Sequence, residues 1–150
     1  MTEVATVAKV EPEEVEEQVE PVVTYRNAKP TDAVAIFALL RRRHAESDHE
    51  LASIDEGKTI MVILQTIREG LVFVAIRERR IVGSIGVVNQ QPWWSSENEP
   101  ADLWWYAIPE FRRFGVGTGL LRMVRDAYPD GPLRLTDVSG AEMDDRLEAL

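Results

Sequence analysis

The chain has 150 residues, 45% of them hydrophobic, which suits a single soluble domain with one core. Its formal net charge of -9 disfavours broad electrostatic contact with nucleic acid or an anionic membrane and tolerates a cationic amine. The absence of cysteine excludes disulfides, thiolate metal sites and a thiol nucleophile, and no run approaches the ~18 apolar residues of a membrane span. With no basic, apolar leader at the N-terminus, the expectation is an unexported cytoplasmic protein without nucleic-acid or membrane partners.

Residues 1–21 carry Glu3, Glu11, Glu13, Glu14, Glu16, Glu17 and Glu20 against Lys9, with Pro12 and Pro21 as breakers. They read as an acidic tail, either disordered or docking on a basic partner through Val4, Val7, Val10, Val15 and Val19. The folded part begins with a strand from Val22 to Arg26. Pro30, Thr31 and Asp32 then open a helix whose apolar positions are Val34, Ile36, Phe37, Leu39 and Leu40, and which Arg41, Arg42 and Arg43 close where positive charge suits a C-terminus. A second helix is expected from Asp55 to Glu69, with Ile60, Ile63, Leu64 and Ile67 on one face and Gly70 as its stop.

Leu71–Arg77 and Ile81–Asn89 read as antiparallel neighbours around a charged tip, Glu78-Arg79-Arg80. Gln90–Pro100 is a loop, Leu103–Ile108 an aromatic strand, Gly117–Tyr128 a helix and Leu133–Val138 a further strand, with a short helix in the last ten residues.

The run from Pro109 to Leu121, PEFRRFGVGTGLL, joins a hydrophobic strand to an amphipathic helix. Its glycines let backbone amides approach an anion that a Cβ would hold off, and the helix start adds partial positive charge and unpaired N–H groups. Arg112 or Arg113 can add a charge-assisted bond and Thr118 a hydroxyl. No lysine follows the glycines as a P-loop requires, and the run does not follow the first strand of a βαβ unit.

Arg112-x-x-Gly115-x-Gly117, preceded by a strand and Pro109, resembles the acetyl-CoA loop of the GCN5-related N-acetyltransferase (GNAT) family. The order of elements agrees, and the resemblance covers roughly Val22 to Gly140. It implies an α/β (α+β) fold over residues 22–150, with a mixed central sheet flanked by helices, and transfer of an acetyl group from acetyl-CoA to a small-molecule or protein amine. It also implies that Tyr106, Ala107 and Ile108 pair with the pantetheine, and that the pyrophosphate lies on the run Arg112, Arg113, Phe114, Gly115, Val116, Gly117, Thr118 and Gly119. Ala101-Asp102-Leu103-Trp104-Trp105-Tyr106-Ala107-Ile108 looks like the strand of the histone-acetyltransferase branch. There a glutamate at the position of Asp102 is the general base, which makes Asp102 the candidate base here, acting through a water, or else a solvated residue at a strand start, with Glu97 and Glu99 in the adjoining loop as weaker candidates.

His44 and His49 are spaced five apart and do not make a metal pair, so no metal is expected. Core packing or loop anchoring is expected for most of Trp93, Trp94, Trp104 and Trp105, with Trp93 or Trp94 able to line a site. Family members usually continue past the strand equivalent to Leu133–Val138 with a helix, bearing an acid tyrosine, and two more strands, so this chain reads as C-terminally truncated. The strand edge left open, or the acidic tail, offers a surface for a homo-oligomer or larger assembly. The shortened pattern resembles phage-encoded members, for which host cytoplasm or virion would be the location. It motivates the alternative of a non-catalytic interaction or virion-associated module.

Overall fold

The computed structural model describes residues 22–47 and 51–135. The acidic tail, residues 136–138 of the last expected strand, and the C-terminal helix lie outside the described residues.

Four strands, β1 (Thr24–Asn27), β2 (Leu71–Arg77), β3 (Arg80–Gln90) and β4 (Glu99–Ala107), form one antiparallel sheet in the order β1-β2-β3-β4. The mixed character expected of it rests on Arg134, which meets Ala101 in a parallel bridge. The β2–β3 tip is a two-residue turn, with Glu78 and Arg79 both at positive φ (53° and 67°), as the twist of a tight hairpin requires. β4 starts four residues earlier than the Leu103 expected, because Pro100 and Ala101 pair with Asn89 and Val88. A proline tolerates such a place near a strand start.

Pro30–Asp32 is a 3-10 turn that leads into α1 (Ala33–Glu46). Asp32 does not cap α1. Its carboxylate accepts from the Lys29 amide (2.7 Å) and pairs with Arg26 (2.7 and 3.1 Å), and the Arg26 bond holds its pKa below the usual carboxylate value. The arginine triplet does not close the helix either. α1 runs on through His44, Ala45 and Glu46, residues that include good helix formers, and stops where Ser47 turns extended.

α2 (Glu56–Glu69) is close to its expected span, with the Asp55 side chain accepting from the Lys58 amide at 3.0 Å and Gly70 ending it. On its inner face Ile63 is fully buried, but Leu64 sits at the rim and Thr66 is buried instead. The Thr66 hydroxyl donates to the Val62 carbonyl at 2.7 Å, which satisfies it inside the helix. α3 (Val116–Ala127) follows a 3-10 segment, Pro109–Phe114.

Because strand side chains alternate, β2 divides its apolar residues between two layers. Phe73 and Ala75 pack with Val116, Leu120 and Val124 of α3, whereas Val72 and Val74 pack with Ile36, Phe37 and Ile63 of α1 and α2. Each large aliphatic side chain fully buried here contributes about 1.5–3 kcal/mol. The sheet is thus held between α3 and the α1–α2 pair, and β4 lies at its end, where the glycine run begins.

Candidate active site

β4 is irregular in its middle. Trp104 pairs with Gly86 and Asp102 with Val87, so Leu103 is an extra residue that forms a bulge and stands 47% exposed. Bulges sharpen local twist and re-aim side chains, and they are frequent beside active sites. Nothing in the hydrophobic pattern marks this one. Trp104 turns into the core, where its indole N–H donates to Ser84 Oγ at 2.9 Å and its ring lies where a side chain on Gly86 would stand. Trp105 faces the other layer and donates to the Gly117 carbonyl at 3.0 Å, tying β4 to the first turn of α3.

Outside β3, the neighbour of β4 is residue 134. The Asp102 amide donates to the Arg134 carbonyl (3.1 Å) and the Arg134 amide to the Pro100 carbonyl (2.9 Å). Among the described residues the pairing on this edge stops there, and no described strand lies outside Tyr106, Ala107 and Ile108. On the inner edge these residues are tied to β3, with the Ile108 amide donating to the Val82 carbonyl at 2.9 Å.

The glycine run turns on Gly115, whose φ of 76° is left-handed and which makes the corner between the 3-10 segment and α3. Its amide donates to the Arg112 carbonyl (3.0 Å) and its carbonyl accepts from the Gly119 amide (2.8 Å). Val116, Gly117 and Thr118 form the first turn of α3, where a helix has no carbonyl of its own to engage the amides. Among the described residues, a Cβ on Gly117 would meet nothing nearer than the Trp105 indole nitrogen at 3.8 Å, which leaves room beside its backbone. A pyrophosphate fits a helix N-terminus of this kind, where backbone N–H groups face an anion.

Gly119 is different. Its amide is already bonded within the helix, and a side chain on it would run into the Tyr25 ring. It serves the packing of α3 on β1. Arg112 is also engaged within the protein. Its Nε donates to the Ala107 carbonyl (2.8 Å), its Nη2 reaches Glu46 Oε1 (3.2 Å), and its guanidinium lies 5.3 Å from the Tyr106 ring centroid. Arg113 stacks on Phe114 at 4.8 Å, and both Phe114 and Phe111 lie against Arg77.

Glu46 is the residue that sequence reading missed. It accepts from the Tyr106 hydroxyl as well as from Arg112, and Arg42 stands 3.8 Å away. Burial, followed by the bond to Glu46, pushes the Tyr106 pKa up to about 12. The partners lie 60 and 66 residues from Glu46 in sequence, so no local signal could have joined them.

At the other end of β4, Asp102 is half-buried beside the bulge. Glu99 forms an ion pair with Arg134 Nε at 2.5 Å, and Glu97 is exposed in the preceding loop. The Arg134 guanidinium also lies over the Trp94 ring at 4.7 Å. Trp93 packs edge-on to Trp94 and is 92% exposed. A His44 ring nitrogen lies 2.7 Å from the Ala52 carbonyl, and His49 lies outside the described residues. Among the described residues no cluster of three metal-ligating side chains occurs and no helix is long and apolar enough to cross a membrane.

A family model described as the acetyltransferase (GNAT) family matches residues 33–135. Comparison with curated proteins finds no match. Among solved structures, a predicted acetyltransferase from Clostridium acetobutylicum, determined with acetyl-CoA, superposes with a TM-score of 0.67 at 14% identity, over 84% of this chain and 88% of that one. A possible acetyltransferase from Clostridium difficile 630 gives 0.66 at 15% identity, over 85% and 88%. An aminoglycoside 6'-N-acetyltransferase from Acinetobacter baumannii gives 0.61 at 14%, over 85% and 88%. At these identities the likeness is one of fold.

Proposed function

The chain belongs to the GNAT acetyltransferase family, and from that premise we propose that it transfers an acetyl group from acetyl-CoA to a primary amine. The observation that carries this reading is the left-handed turn at Gly115 that opens α3, with Val116, Gly117 and Thr118 in its first turn and room beside Gly117. Their amides are donors for the pyrophosphate. The outer edge of β4 from Tyr106 to Ile108 presents main-chain groups to the amides of the pantetheine arm. When bound, acetyl-CoA supplies an activated acyl carbon and a thiolate leaving group.

Asp102 stands beside the bulge, on the stretch of β4 that leads to this edge. We assign it the proton of the incoming ammonium, taken directly or through a water because its side chain is one methylene shorter than glutamate. The amine nitrogen then bonds to the acyl carbon and sheds a second proton, the carbon–sulfur bond breaks, and the departing thiolate takes up one proton in exchange. Backbone N–H groups of β4 supply the stabilisation that the developing oxyanion needs. The -9 charge favours a cationic acceptor over an anionic one.

Calorimetric titration with acetyl-CoA tests the binding half, and mass spectrometry of a panel of amines tests the transfer half. Saturating acetyl-CoA is expected to raise the melting temperature of the wild type, and Gly117→Trp to remove that shift by covering the amides. No shift in the wild type would sink the proposal.

A further inference from the structure

Three elements far apart in sequence meet at Glu46. It is the last residue of α1, Tyr106 lies near the end of β4, and Arg112 is in the 3-10 segment that delivers the chain to Gly115. One carboxylate oxygen, Oε2, accepts from the Tyr106 hydroxyl, and the other, Oε1, takes Arg112 Nη2 at 3.2 Å. Arg112 Nε closes the ring on the Ala107 carbonyl at 2.8 Å, between Tyr106 and the start of the 3-10 segment. A second tie runs parallel to it, from Arg42 on the preceding turn of α1 to Glu110 at 2.8 Å. The first turn of the glycine run is therefore fastened to α1 by side chains, although no strand or helix connects them.

Glu110 and Arg42 are well exposed and their pair contributes little on its own. Glu46 is different because a single carboxylate serves both a buried phenol and a guanidinium that is itself bonded to the strand end. Charge-assisted bonds that share one acceptor group are stronger than neutral ones and lock each other's geometry.

We propose that Glu46 is a positioning residue for acetyl-CoA: by holding Tyr106 and Arg112 together it fixes the end of β4 relative to the entry of the glycine run, so that the amides meant for pantetheine and for pyrophosphate are aligned before the cofactor arrives. Arg112, in this arrangement, acts on the protein's own carbonyl and carboxylate. The inference rests on the function proposed above and adds to it a residue outside the glycine motif.

The test compares the full chain with Glu46→Gln, Tyr106→Phe and the double variant, by calorimetry with acetyl-CoA and by amide hydrogen exchange of the free proteins across residues 106–118. Glu46→Gln is expected to weaken acetyl-CoA binding about tenfold and to speed exchange in that segment while leaving it unchanged in α2. The double variant is expected to be no weaker than Glu46→Gln alone, because both changes break one network. Glu46→Asp, which keeps the charge at shorter reach, should fall between, and it carries the same readouts should Glu46→Gln fail to fold. Unaltered exchange, or an affinity equal to that of a wild type that binds, overturns the assignment of Glu46. A wild type with no affinity for acetyl-CoA overturns the proposed function instead, while the exchange measurements still report on the clamp.

Discussion

The two ends of β4 are built by different means. At its C-terminal end Tyr106, Ala107 and Ile108 are buried, and Glu46, Arg112 and Val82 hold them from three directions. At its N-terminal end the neighbours of Asp102 include a bulged, exposed Leu103, an ion pair between Glu99 and Arg134, and a tryptophan pair that stands in solvent. The first end offers fixed backbone and suits a ligand whose shape never changes, as a cofactor's does. The second offers exposed side chains, which is where acceptors of differing chemistry are told apart.

The largest effect expected from breaking this contrast is at Asp102. Asp102→Asn removes the assigned proton acceptor without changing size, so kcat should fall by about 10²–10⁴ while acetyl-CoA affinity, set at the other end of the strand, stays put. Loss of cofactor affinity in this variant would show that the two ends are not separable.

An intermediate effect is expected at high pH. Tyr106 stays protonated in the fold up to about pH 12, well above its ordinary value of 10.0. Between those values the unfolded chain loses a proton that the folded chain keeps. The stability this group contributes is therefore complete below its ordinary pKa and is lost as pH rises through the upper one. Alkaline unfolding followed by circular dichroism should show that loss in the wild type and a smaller one in Tyr106→Phe.

The smallest effect is expected at Trp93. With its ring almost wholly in solvent, Trp93→Ala should change stability by no more than roughly 0.5 kcal/mol in a denaturant titration. A larger loss would mean that the loop before β4 packs against something beyond the described residues.

What sequence made legible follows the range of the forces involved. Local signals placed α2 to within a residue, with Asp55 and Gly70 at its ends, and reproduced β2 in full. The glycine run announced itself because backbone geometry there leaves so few residues to choose from. Gly117 and Gly119 look alike in sequence, yet one keeps an approach open and the other makes room for Tyr25, a partner from the far end of the sheet. The extension of α1 past its arginines, the bulge at Leu103, and the meeting of Glu46 with Tyr106 depend on tertiary contacts that no window along the chain contains.

The bridge at Arg134 joins chain neighbours of Ala101 in parallel, so everything from β4 to residue 134 is a crossover with α3 as its middle. Crossovers between parallel strands are right-handed almost without exception, because L-residues twist strands one way. The face of the sheet on which the amides of Val116, Gly117 and Thr118 open is thus a matter of chirality, settled before any glycine is chosen.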